Sequence, residues 1–311
     1  MSKTILFASG KGGVGKSTVS ATLAAALAAK GRRVVLVDAD IGLRSQDLLL
    51  NLESRVVYDL IDVARGRCLL SQALLESPDI PGLFLLPAAQ FARCRDLDPK
   101  KLKRILALLQ GQANYVFIDC PAGLERGLRN VLNAGASEKL HVETVLVVTP
   151  DDLSVRGAER AASLIGKKDL SRPSLLVNRL NPDMIRSGDM YTAQTIASLL
   201  DLPLLGEIPE DPAVVTAQLR HRPVLAYECE ARRAFLRIAD RLEGGAPAFP
   251  SYGGGKPSFL RRLFSPKLRE APWMASAGAG KADSGSAPRE DTKPTAPAGD
   301  SQSESDDEIS P

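Results

Sequence analysis

Ten residues near the start of the chain constrain its fold more than any other stretch: Ser9-Gly10-Lys11-Gly12-Gly13-Val14-Gly15-Lys16-Ser17-Thr18. They follow an apolar run, Thr4 to Ala8, and precede an alanine-rich helical stretch, Val19 to Lys30. The pattern G-x-x-x-x-G-K-[ST] between a strand and a helix predicts a phosphate-binding loop. Glycines let successive backbone N–H groups turn inward around an anion, and the helix after them adds its positive end. The residues from Lys11 to Thr18 are therefore the candidate nucleotide ligands. Among them Lys16 supplies a point charge to the β- and γ-phosphates of ATP, and the Ser17 hydroxyl is a candidate Mg²⁺ ligand. The alternative, a glycine-rich turn that binds nothing, is disfavoured by the strand before it and the helix after it.

Further strand-length apolar runs recur at Val34–Val37, Leu83–Leu86, Tyr115–Ile118, Val145–Val148, Leu175–Val177 and Leu204–Ile208, with helical patterns between most of them. The runs are continuous rather than alternating, which predicts strands covered on both faces. The expected fold is α/β: a doubly wound, mostly parallel sheet of the P-loop NTPase kind, ending near Leu242. At 311 residues and 44% apolar, the chain has the material for such a core.

Two of the runs end in acids at the edge of the sheet where open α/β folds bind ligands. The second is followed by Asp38-Ala39-Asp40, and the fourth by Asp119-Cys120-Pro121. An acid after an apolar strand in a P-loop protein is placed to hold Mg²⁺ directly or through water, which makes Asp119 a candidate metal site; the competing reading is a strand-end cap. Four cysteines, Cys68, Cys94, Cys120 and Cys229, show no paired spacing, so neither a zinc site nor a disulfide framework is indicated, an iron–sulfur cluster is disfavoured and a reducing cytosol fits best. Two histidines leave little for His-based chemistry. No leader segment and no membrane-spanning run is expected.

The second lysine of the loop, Lys11, is the mark of the deviant Walker A ATPases. The chain resembles that group's MinD/ParA family, and within it the MinD branch, through Arg55-Val56-Val57-Tyr58-Asp59, Leu86-Pro87-Ala88-Ala89-Gln90, Asp119-Cys120-Pro121-Ala122-Gly123, Ser187-Gly188-Asp189-Met190 and Ile208-Pro209-Glu210-Asp211. The likeness covers roughly residues 3–265. It implies a homodimer formed on ATP, with Lys11 reaching the nucleotide of the other subunit. It also implies that Asp38 lies beside Mg²⁺ and the phosphates, that Asp40 orients the attacking water, and that Asp119 is the acid of a switch. In the family the position of Asn178 recognises adenine and that of Pro209 lies in a loop closing over the base. Asn178 is also readable as a turn residue. The cofactors implied are ATP and Mg²⁺, and the catalytic set is Lys11, Lys16 and Asp40. The implied partners are a MinC-like division inhibitor and a MinE-like or polar topological factor. The implied activity is a Mg²⁺-dependent, partner-stimulated hydrolysis of ATP that controls placement of the division septum.

The chain after residue 243 divides by composition. Residues 244–255 are rich in glycine and proline, as in a flexible linker. Within 256–270, Phe259, Leu260, Leu263 and Phe264 fall on one face of a helix and Arg261 and Arg262 on the other. Such a helix suits the interface of an anionic membrane, and the family carries a membrane-targeting sequence of this character; the alternative is a last helix that docks on the domain. Residues 271–311 hold three basic and eight acidic residues, lack a core-forming composition and are expected to be disordered. In the family the targeting helix ends the chain, so this tail is a departure. Trp273 is either an extension of the membrane face or a lone aromatic. The expected location is cytoplasmic, and peripheral on the inner membrane face when ATP is bound. Two other functions stay open. A ParA-like DNA-segregation ATPase needs a basic dimer surface, and the Phe259–Phe264 pattern favours lipid over nucleic acid. A flagellar-number regulator is disfavoured because no activation segment precedes the loop.

Overall fold

The computed structural model describes residues 2–124, 126–136, 140–168 and 170–251. The segments 256–270 and 271–311, with Phe259, Leu260, Leu263, Phe264 and Trp273, lie outside the described residues. Eight strands form one sheet: β1 (Lys3–Ala8), β2 (Val34–Asp38), β3 (Leu75–Glu76), β4 (Leu83–Leu86), β5 (Tyr115–Asp119), β6 (Val142–Val148), β7 (Ser174–Leu180) and β8 (Leu204–Pro209). Their order across the sheet is β3-β4-β2-β5-β1-β6-β7-β8. All neighbours pair in parallel except β3 with β4.

The continuous apolar runs are buried on both faces, as expected. Along β1, Ile5 and Phe7 enter one core and Leu6 and Ala8 the other; Val34 and Leu36 oppose Val35 and Val37 in the same way along β2. One core is closed by the helices Lys16–Ala29 and Glu230–Leu242, where Phe7 and Phe117 stack at 4.9 Å between ring centroids. The other is closed by the helices Leu60–Arg65, Pro99–Gln110, Arg126–Gly135, Asp152–Gly166 and Ala193–Leu200. Each large side chain so buried contributes about 1.5–3 kcal/mol. Helix Lys16–Ala29 is nearly all small residues because it lies flat on the strands and against Glu230–Leu242, leaving it little room for side chains.

β1 and β2 are consecutive in sequence but are separated in the sheet by β5. Their carboxyl ends, with that of β5, therefore converge at the switch in strand order where this fold class places its ligand. Among the described residues the last helix ends at Leu242. The start of the stretch expected to be a flexible linker is tied down. Arg241 donates to the Pro247 carbonyl at 2.6 Å and lies over the Phe249 ring, 3.8 Å from its centroid.

Candidate nucleotide site

The loop after β1 is built on close backbone approach. A Cβ on Gly10 would stand 2.0 Å from the Gly157 carbonyl, so the loop and helix Asp152–Gly166 touch through bare backbone. Gly13 and Gly15 have φ of +80° and +88°, a region that residues with a Cβ avoid. Gly15 is also the residue before helix Lys16–Ala29. That helix start has no side-chain cap and no acid in its first turn. Its first N–H groups are thus left for an anion, and the glycine cradle fits a phosphate group.

Lys16 is 5% exposed and its Nζ lies 2.5 Å from Asp119 Oδ1 and 3.4 Å from Ser17 Oγ. Asp119 is fully buried, and its Oδ2 accepts from Gln46 Nε2 at 2.7 Å. The three candidates Lys16, Ser17 and Asp119 are thus brought together, with Gln46 as a fourth member that the motif does not announce. No trio of His, Cys, Asp or Glu among the described residues forms a metal cluster. A hydroxyl and a carboxylate beside a phosphate cradle suit Mg²⁺, which keeps several waters and takes few protein ligands.

Asp38, the acid that the resemblance sets beside Mg²⁺ and the phosphates, holds backbone N–H groups. It is fully buried, its Oδ1 accepts the Asp40 N–H at 3.0 Å, and its Oδ2 accepts the Ser45 and Gln46 N–H groups at 3.0 and 3.1 Å. Both oxygens are occupied in shaping the loop 40–46. Burial, and then the neighbouring charge of Asp119, push its carboxyl up to about 7. Asp40 is half-buried, and no described residue donates a hydrogen bond to its carboxylate. Burial raises its pKa, against the pull of Lys16. An acid held near Lys16 without a partner of its own is free to orient a water.

Asn178 lies inside β7 rather than after it. It sits at an irregularity in the pairing with β8, next to Arg179 at φ +59°, and this bulge turns its side chain into the domain. Its Nδ2 donates to the Val14 carbonyl at 2.8 Å, fastening the strand to the loop. Beside it opens a cavity of about 230 Å³ lined by Gly15, Thr18, Asn178, Pro209, Val215 and Phe235 among others. This cavity adjoins the loop, which is where a base attached to loop-bound phosphates would lie. Thr18 is braced on its wall by Gln218 Nε2, 2.7 Å from its Oγ1.

Lys11 is 45% exposed on the opposite side of the loop, over a cleft of about 280 Å³, with its Nζ 3.4 Å from Asp151 Oδ1. Asp151 caps helix Asp152–Gly166 through the Ser154 N–H and accepts from Thr149 Oγ1. Burial works to raise its pKa, but these hydrogen bonds and Lys11 leave the carboxyl below its ordinary range. The two long charges of this exposed pair are held loosely. Cys120, the residue after Asp119, is fully buried, and that burial pushes its thiol pKa far up, so it is no nucleophile.

The CobQ/CobB/MinD/ParA nucleotide binding domain family matches residues 5–224. The septum site-determining protein MinD of Synechocystis is 38% identical over 265 residues, 85% of this chain and 97% of its own length. The chain belongs to the MinD family of septum site-determining proteins. Among solved structures, the MinC:MinD cell division protein complex of Aquifex aeolicus superposes with a TM-score of 0.74 at 34% identity, covering 81% of this chain and all of that one. The septum site-determining protein MinD of Pyrococcus horikoshii, solved with Mg-ADP, gives 0.69 at 30% identity over 78% of this chain and 96% of that one. The sheet with its phosphate cradle is therefore that of a nucleotide-binding P-loop ATPase of cell division. No helix among the described residues is long and apolar enough to cross a membrane.

Proposed function

We propose that the chain is an ATP-driven switch that dimerises on ATP, binds the membrane through residues 256–270 and there recruits a MinC-like division inhibitor, with a MinE-like or polar factor acting on it in turn. The observation that carries this reading is the division of labour between the two lysines of one loop. Lys16 is buried on Asp119, inside the cradle; Lys11 is exposed at its rim, held only by Asp151. A buried lysine serves its own subunit's phosphates, whereas an exposed one is available to a second subunit.

When bound, ATP with Mg²⁺ supplies the phosphoanhydride to be broken and a divalent charge against it. In this reading Lys16 exchanges Asp119 for the β- and γ-phosphates, so no charge stays buried without a partner. Ser17 and Asp119 hold the cation, with Asp38 fixing the loop that frames it. Asp40 orients the water, and loop amides with Lys11 of a second copy stabilise charge developing on the phosphates. Asn178 and Pro209 bound the base. Two weak membrane helices on one dimer bind far more tightly than one, which makes the nucleotide state a membrane address.

Sedimentation of the full chain with anionic liposomes tests this, with ATP–Mg²⁺ against ADP, for the wild type, Lys11→Ala and a chain stopped after Gly255. The expected result is pelleting of the wild type with ATP only, lost in both variants. Binding of duplex DNA with ATP, and no pelleting in any case, would replace the membrane reading by a DNA-segregation one.

A further inference from the structure

The buried polar network at the base of the loop includes an amide oxygen with no protein partner to satisfy it. Gln46 is fully buried, and its Nε2 lies within 2.7 Å of Asp119 Oδ2, 3.1 Å of Ser20 Oγ and 3.2 Å of the Ser17 carbonyl. A carboxylate and a carbonyl accept only, so the amide nitrogen must be the atom that faces them. That fixes Oε1 on the other side, where it is buried and meets no donor. Amide oxygens buried in this way are ordinarily paired, so the side chain is kept in place by what its nitrogen holds.

We propose that Gln46 is a positioning residue for the divalent cation that accompanies the nucleotide. Its amide hydrogens hold Asp119 Oδ2 and the first turn of helix Lys16–Ala29 in one orientation. The inference rests on the proposed nucleotide function and refines it. Asp119 has two holders, Lys16 on Oδ1 and Gln46 on Oδ2. When Lys16 turns to phosphate, Gln46 alone keeps the carboxylate aimed. The Gln46 N–H also donates to Asp38 Oδ2, so the same residue ties the loop after β2 to the end of β5. Partners of this kind, one step behind the cation, change its affinity about 10–100-fold when removed.

The test uses the full chain, N-methylanthraniloyl-ADP as fluorescent probe, and Gln46→Met, which keeps the length of the side chain and loses its hydrogen bonds. Gln46→Leu serves as a second variant, and the one that melts cooperatively near the wild type is read. Probe affinity is measured in EDTA, and Mg²⁺ is then titrated into the complex from a metal buffer. The expected result is an apparent Mg²⁺ dissociation constant raised about 10–100-fold, with affinity for the metal-free probe unchanged. A Mg²⁺ constant equal to that of the wild type overturns the proposal. So does an equal loss of metal-free binding, which would make Gln46 a prop for the loop. If the wild type binds no probe with or without Mg²⁺, the nucleotide reading falls and this inference falls with it.

Discussion

Gly10 and Gly13 stand three residues apart in one loop and are glycines for different reasons. At Gly13 nothing lies within 4 Å of a would-be Cβ, and only its φ of +80° objects. Gly13→Ala is therefore expected to cost about 1–2 kcal/mol, the strain of a left-handed residue. At Gly10 the Cβ would enter the Gly157 backbone, which cannot rotate away. Gly10→Ala is expected to cost more than Gly13→Ala, with urea midpoints of nucleotide-free protein as the measure. Asp38 makes a prediction of another kind. Its carboxyl goes from 3.8 to about 7 on folding, so the folded state keeps a proton across a window in which the unfolded chain has lost it. The stability this group contributes is present below the unfolded value and is lost as pH rises through the folded one. Asp38→Asn is expected to lower stability overall, since the amide's NH2 group would face at least one of the three N–H groups donor to donor. It should also flatten the decline between about pH 4 and pH 7; denaturation without nucleotide across that range checks both.

Among the elements, helix Glu230–Leu242 carries a clamp on the segment after it, through Arg241. Arg241→Ala is expected to release Pro247 and Phe249, giving faster elastase cleavage after Ala248. The global unfolding free energy from urea titration should fall by no more than about 1 kcal/mol, the worth of an exposed cation–π contact. The clamp is invisible in the sequence, where glycine and proline composition points to a free linker. The seven longer strands are legible because each is an apolar run. β6 begins three residues before its predicted start because Glu143, exposed on an otherwise buried strand, breaks the run. β3 escapes a sequence reading because two residues, Leu75 and Glu76, carry no periodicity; its pairing to β4 defines it. In the site, Lys16, Ser17 and Asp119 are legible from motif spacing. Gln46 is not, since a polar residue in a polar loop reads as solvated until the fold closes over it. Asp38 is legible as a site acid, but its use for three backbone N–H groups depends on how the loop returns.

At the scale of the whole molecule, both cores and the entire nucleotide cradle fall within residues 2–251. A chain ended after Ser251 is therefore expected to melt as the full chain does and to be stabilised equally by ATP–Mg²⁺, by about 2.7 kcal/mol at a hundred times the dissociation constant. Unequal stabilisation in calorimetry would mean that later residues reach the site. The order of strands across the sheet also sets a timetable for the growing polypeptide. β1 and β2 leave the ribosome early but each needs β5 beside it, and Lys16 waits for Asp119, 103 residues further on. At about 5–20 residues per second, several seconds pass in which the lysine and glycines of the cradle exist without the strand that completes them. A nascent chain is thus unable to capture nucleotide until its central strand has emerged, so ligand binding begins only once the middle of the sheet has been made.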